Sequence, residues 1–235
     1  MMGEPMLHDV LEDTEKAIAY VRDYYRADFR QGLPRTGASF DQWAGGGDRA
    51  DVANRLTGDD FVAVSFLTVN VPPMAAIGLM RDEKKNVDRL LSLIPTNVRM
   101  SDLDQKGYER HLGMDSPAQE LWEVITRRNG AKWDIGSTTA SKIMARKRPH
   151  LIPIVDRVIQ DLVGFGHYWH DWHKSLTGGT GLTECLDRIR RDSGILELGY
   201  EPSILRIMDI VLWQEGLAEK ARRRDVAAAA PLVHG

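Results

Sequence analysis

Apolar residues recur at intervals of three and four along most of the chain, a spacing typical of amphipathic helices. In the first such segment, residues 8–30, Val10, Leu11, Ile18 and Val21 share one face. The one strand-like run, residues 61–71, has a capped start and a length that favour a buried helix. The pattern predicts further helices at about 60–70, 73–81, 83–94, 102–111, 117–129, 156–163, 167–177, 182–192 and 202–224, and one that starts near residue 137.

Local start and stop signals separate these helices. Thr57 precedes two aspartates and is a good N-cap, whereas the Pro72–Pro73 pair ends one helix and prepares the next. Ser116 followed by proline marks another start, and Gly130 marks a stop. Residues 31–56 are rich in glycine and polar side chains and are predicted to form a loop.

The predicted fold is therefore all-α. We expect about ten helices in two interlocked subdomains of a single domain over residues 1–224, with a flexible tail at 225–235. A hydrophobic content of 43% is enough to bury a sizeable core.

The overall charge argues against a strongly basic nucleic-acid-binding protein, because the formal net charge is −3. Cys185 is the one cysteine, so neither an internal disulfide nor a cysteine-ligated zinc or iron–sulfur site is expected. The first residues lack the basic start and apolar run of a signal peptide, and no segment suits a membrane span. These features predict a cytoplasmic protein without a cofactor. They leave the oligomeric state open.

One segment departs from the charge of the whole chain. Between residues 136 and 160 there are five cations and one acid, a local balance of +4 (five minus one). Within it, Gly136 and Ser137 open a helix, and a helix N-terminus presents free N–H groups that suit a phosphate. Three consecutive cations, Arg146 to Arg148, close the same helix. The segment could therefore face DNA.

The letters "IGSTTASKIM" and "LIPIVDRVI" resemble the helix–hairpin–helix and following loop of the HhH-GPD DNA glycosylases. Ile135–Gly136 matches the Val-Gly of the family turn, and Thr139–Ala140 matches its Thr-Ala. Asp156 falls on the catalytic aspartate of the family, eighteen positions after Thr138. The resemblance covers about 30 residues, in the region 117–163.

The resemblance implies an HhH-GPD-like fold and DNA as the partner. It implies a monofunctional base excision in which Asp156 stabilises the cationic sugar or activates water. Thr138 stands where bifunctional members carry a Schiff-base lysine, so that chemistry is not expected, and Lys142 is the one nearby substitute. Asp134 and Trp133 replace the Gly and Pro that begin the family turn. The implied DNA-binding residues are Gly136, Ser137, Thr138, Thr139, Lys142, Arg146, Lys147 and Arg148.

Simpler interpretations stay open. Asp156 is well placed to cap a helix, cations near a helix C-terminus suit its dipole, and Ser137 to Thr139 could cap their own helix. The chain could be a non-catalytic helix–hairpin–helix DNA-binding or scaffold protein, or an unrelated helical protein.

Three further features attract attention. His167, His170 and His173 do not share one helical face well, so an aromatic packing helix is favoured over a metal site. The glycines Gly45 to Gly47 are expected to form a turn, with a DNA-contacting loop as the alternative. Asp209 lies in an apolar helix, where a buried ion pair with Arg206 or with a cation on another helix is expected and a second catalytic acid is the alternative.

Overall fold

The computed structural model describes residues 11, 13–26, 35–127, 130, 133–164 and 168–229. These ranges contain eleven α-helices and no strand, so the all-α prediction is confirmed. The helices are α1 (Thr14–Tyr25), α2 (Gly58–Ser65), α3 (Pro73–Ile77), α4 (Lys84–Leu93), α5 (Gln105–Leu112), α6 (Pro117–Thr126), α7 (Ser137–Lys147), α8 (Arg157–Val163), α9 (Tyr168–Thr177), α10 (Leu182–Asp192) and α11 (Ile204–Ala229).

The helix predicted at 60–70 is shorter than the apolar run suggests. Thr57 is the N-cap and forms a capping box with Asp60, but α2 ends at Ser65. Its chain reverses at Thr68, whose φ of +61° lies in the left-handed region. Apolar composition alone did not reveal this turn, because a β-branched residue rarely adopts that backbone conformation.

The helix predicted at 73–81 changes its winding. α3 gives way at Gly78 to a π-helical turn, Gly78–Asp82. A side chain at Gly78 would collide with Trp133, since an added Cβ would lie 2.5 Å from the indole ring. Close packing of Trp133 therefore explains the glycine at this point.

The predicted loop after α1 has local structure in its described part. Two 3₁₀ turns, Thr36–Ser39 and Trp43–Gly45, occupy it. Gly45 and Gly46 have positive φ angles, which glycine adopts at little cost. The second turn covers the C-terminal end of α7.

α7 runs through the core and is buried on all sides over most of its length. Its apolar residues Ala140, Ile143 and Met144 join the main core cluster. Neighbours on either side are α6 and α2. Because α7 is surrounded, its polar side chains must find partners inside the protein.

α11 forms a long wall against α1, α8 and α10. It continues to Ala229, five residues beyond the predicted end, so the part of the predicted tail up to that residue is helical. Gly216 lets α11 approach α8 closely, because an added Cβ would lie 2.5 Å from Val158. No described helix combines the length and apolar character that crossing a membrane requires.

Candidate functional site

Asp156 is held in place by both its own helix and α7. Its Oδ1 accepts a 2.8 Å hydrogen bond from the backbone N–H of Val158, so it is the N-cap of α8 as expected. The preceding residue, Val155, donates its N–H to the Ser141 hydroxyl on α7 at 2.8 Å. One carboxylate oxygen caps the helix, and the other points towards α7.

That second oxygen faces Lys142. The Nζ of Lys142 lies 3.7 Å from Asp156 Oδ2 and donates a 2.9 Å hydrogen bond to the carbonyl of Leu67. Lys142 is only 4% exposed, and burial lowers the pKa of its amine although Asp156 and Asp209 act in the opposite direction. The prediction that Lys142 contacts a DNA backbone is therefore corrected, because the side chain points inwards.

Lys142 and Asp156 line a cavity of about 290 Å³ between α1, α7 and α11. Aromatic rings form part of its wall, and a small number of charged groups converge on it. This combination is typical of a binding site for a small organic group. The aromatic lining residues are Tyr24, Phe66 and Trp213, and the charged ones are Arg35, Lys142, Asp156, Arg206 and Asp209.

The strained turn at Thr68 belongs to the same cavity wall. A left-handed conformation costs a β-branched residue of the order of 1–3 kcal/mol, and such strain tends to occur at functional sites. Here it accompanies the orientation of the Leu67 carbonyl towards Lys142. The Thr36 hydroxyl holds the neighbouring Phe66 carbonyl at 3.0 Å.

Asp209 reaches the cavity from α11, and its expected ion pair with Arg206 is confirmed. Arg206 also lies 3.3 Å from the carboxylate of Asp41 and donates to the Tyr24 hydroxyl at 2.7 Å. Burial raises the pKa of Asp209 to about 6, because loss of hydration outweighs the attraction of Arg206 and Lys142.

The N-terminus of α7 lies at the surface. Gly136 is its N-cap and is exposed, with open space where a side chain would project. Ser137 is also exposed, and Thr138 and Thr139 are half-buried. No side chain caps this helix, so the alternative that these hydroxyls serve as its N-cap is wrong.

A family of unknown function, DUF6308, matches residues 17–216 of the chain. The chain belongs to that family. The match includes Asp156, Lys142 and Asp209, and therefore the acidic and basic groups of the cavity. Neither the curated proteins nor the solved structures gave a match. The function of this family member must therefore be argued from its geometry.

The basic block Arg146–Arg148 does not form a surface patch, and its predicted contact with DNA is corrected. Arg146 donates two 2.6 Å hydrogen bonds to the carbonyls of Phe40 and Asp41 and a further one to Trp43. These carbonyls belong to the turns after α1. Gly47 packs directly on the Arg146 backbone, where an added Cβ would lie 2.4 Å from its carbonyl oxygen. The glycine loop therefore encloses this arginine.

The other two cations are equally committed. Lys147 lies 3.0 Å from the buried carboxylate of Asp60. Arg148 donates to the carbonyls of Ile94 and Ala53 at 2.6 and 2.9 Å. A cation on a buried helix needs such partners, and the sequence run "RKR" looks the same whether its partners are phosphates or carbonyls.

Two cations that the sequence did not single out as DNA contacts are exposed near the cavity. Arg35 lines it, and Arg157 directly follows Asp156. Neither forms an ion pair with a described residue. Arg157 was counted in the basic segment, but Arg35 lies within the loop predicted at residues 31–56 and gave no signal of its own.

The histidine segment packs as an aromatic helix in its described part; His167 lies outside the described residues. His173 is buried, stacks on Tyr108 with ring centroids 4.7 Å apart, and has its Nε2 2.8 Å from the Leu103 carbonyl. His170 pairs with Asp171 at the surface. Across the described ranges, no three metal-ligating side chains lie together.

Proposed function

We propose that this protein hydrolyses the N-glycosidic bond of a nucleobase that is flipped out of DNA. The observation that carries the proposal is the place of Asp156: one oxygen caps α8, and the residue lines a cavity with aromatic walls. Enzymes that act on a base in duplex DNA take it out of the stack into a pocket that offers stacking and polar contacts.

The cavity supplies both kinds of contact. Tyr24, Phe66 and Trp213 offer ring surfaces for a base. Asp156 then faces the sugar, where positive charge develops as the bond breaks, and a carboxylate stabilises that charge or takes a proton from the attacking water. Lys142, 3.7 Å away, orients the carboxylate.

The hairpin turn favours the same interpretation. Asp134 replaces a glycine of the turn in the HhH-GPD glycosylases. Its φ is +58°, a conformation that glycine adopts freely and aspartate tolerates. The exposed N-terminus of α7 at Gly136 and Ser137 is then free to bind a phosphate. Arg35 and Arg157 take the electrostatic role that the buried block cannot.

The proposed reaction is monofunctional. Thr138 has no amine, and the amine of Lys142 is engaged by the Leu67 carbonyl and by Asp156. A cytoplasmic location belongs to the same proposal and suits a chain with a single cysteine.

The decisive experiment measures base release from duplex oligonucleotides that carry a panel of damaged or modified bases. Wild-type protein is compared with Asp156→Asn and with Asp161→Asn, a control on the same helix whose side chain is exposed. We expect release by the wild type and the control, and none by Asp156→Asn. Binding of the duplexes without any release would instead favour a non-catalytic DNA-binding protein. Absence of both binding and release would contradict the proposal.

A further inference from the structure

We propose that Asp209 is the proton donor to the departing base, with Asp156 serving the sugar. This role rests on the proposed glycosylase function and adds a division of labour between the two carboxyl groups of the cavity. Both residues line the cavity, but they reach it from different elements, Asp156 from the start of α8 and Asp209 from α11.

The surroundings of Asp209 suit a carboxylic acid. Its residue is 8% exposed and lies within a run of apolar α11 residues that are buried in the core. Arg206 donates to its Oδ2. The other oxygen, Oδ1, has no hydrogen-bond partner among the described residues, so it is the oxygen that is free to carry a proton.

Arg206 has other partners besides Asp209, so its attraction does not bring the pKa of Asp209 down to the ordinary value. Its guanidinium is shared with Asp41, the Tyr24 hydroxyl and the Gly37 carbonyl. The other charged groups that act on Asp209 are Lys142, which lowers its pKa, and Asp156, which raises it. With burial as the largest influence, the pKa of Asp209 rises to about 6.

Asp156 has different contacts from those of Asp209. A backbone N–H donates to one of its oxygens, and an ammonium group lies beside the other. Both contacts suit a carboxylate anion. Two carboxyl groups that line one site and have different contacts are the usual arrangement for separate acid–base tasks.

The step balances as a hydrolysis. The bond between the sugar C1′ and the base nitrogen breaks, and its electron pair leaves with the base. The Asp209 proton adds to a ring nitrogen of that base. Water adds to C1′ and loses a proton to Asp156 or to solvent, and Asp209 regains a proton from solvent.

The experiment compares two purines in otherwise identical duplexes. A purine methylated on N7 is already cationic and leaves as a neutral molecule without a proton, whereas a neutral purine needs one. We expect Asp209→Asn to lower single-turnover release of the neutral purine by about 10²-fold or more and to leave release of the N7-methylated purine largely unchanged. Asp161→Asn is the matched control and should affect neither.

A wild-type pH series tests the same role without a variant. Release of the neutral purine should decline as the pH rises above about 6, and release of the methylated purine should not. Equal loss of both activities in a folded Asp209→Asn variant, identical pH profiles, or wild-type release of the methylated purine alone would overturn the role of Asp209 and leave the proposed function intact. Release of neither purine, nor of any base in the wider panel, would overturn both.

Discussion

The ammonium of Lys142 lies 3.7 Å from the carboxylate of Asp156, across the loop that joins α7 to α8. The contact places a cation of a buried helix and the cap of the next helix on one cavity wall. Asp156 can therefore cap α8 with one oxygen and face Lys142 with the other, so the two roles are compatible.

Replacing Asp156 by asparagine should separate these two tasks. Asparagine caps helices about as well as aspartate, so the cap of α8 should be kept, whereas the buried Lys142 loses its anion, and we expect a loss of about 1–3 kcal/mol in the free energy of unfolding. Base release should fall by about 10²–10⁴-fold, because the negative charge is lost. Urea denaturation and single-turnover assays measure the two effects. A large loss of stability with normal release would show that the residue is only structural.

Removing Asp60 should destabilise the protein strongly. Its carboxylate is buried and faces both Lys147 and Arg146, at 3.0 and 3.6 Å. Asp60→Ala would leave buried cations without their anion, and we expect a loss of about 3–5 kcal/mol in the free energy of unfolding. Asp82→Asn, in an exposed pair with Arg81, is the control and should cause no measurable change. Equal urea midpoints for the two variants would contradict this assignment.

Gly47 should not tolerate a side chain. A methyl group there would lie 2.4 Å from the Arg146 carbonyl oxygen, so Gly47→Ala must displace the loop that encloses Arg146, at a cost of about 1–3 kcal/mol. Gly58→Ala is the matched control, because nothing lies within 4 Å of its added Cβ. Thermal unfolding of both variants checks this. A Gly47→Ala protein as stable as the control would show that the loop adjusts freely.

The proposed DNA binding should depend on Arg35 and Arg157. Each phosphate contact that is lost reduces the slope of log K against log salt by about 1, so the double alanine variant should lose about 2. Arg191→Ala is the control, because Arg191 is on α10 and no described residue of that helix lines the cavity. Fluorescence anisotropy over a salt series gives the slopes. An unchanged slope in the double variant would exclude these two arginines as the phosphate contacts.

Stability should depend on pH through Asp209. Its pKa is about 6 in the folded protein against 3.8 ordinarily, so between these values the native state keeps a proton that the unfolded chain releases. The resulting stabilisation is complete below 3.8 and is lost as the pH rises through 6. The stability of the wild type relative to Asp209→Asn, which does not titrate there, should therefore fall from about pH 4 to about pH 7. A constant difference would indicate an ordinary ionised pair.

The sequence predicted where helices begin better than it predicted the tertiary surroundings of individual side chains. Caps at Thr57, Ser116 and Asp156 fixed where helices begin, because capping is local chemistry. The left-handed turn at Thr68 was missed, since a β-branched residue gives no local signal for that backbone conformation.

The site was predicted in part. Asp156 and Asp209, which line the cavity, were singled out because spacing and an acid in an apolar helix are visible in a sequence. The cavity was not, since its aromatic residues come from α1, α11 and the segment after α2. The basic block was misplaced because a charge pattern does not reveal how deeply its helix is buried.

The pairing of Lys147 with Asp60 has a consequence for how the family can diverge. A substitution at either position strands a buried charge, so a lineage can change one only together with the other. Positions 60 and 147 should therefore vary together among family members, and with them position 146, whose arginine faces the same carboxylate. A sequence screen that scores runs of basic residues would count Arg146–Arg148 as phosphate contacts. Correlated variation with a distant acid would show instead that such cations have partners inside the protein.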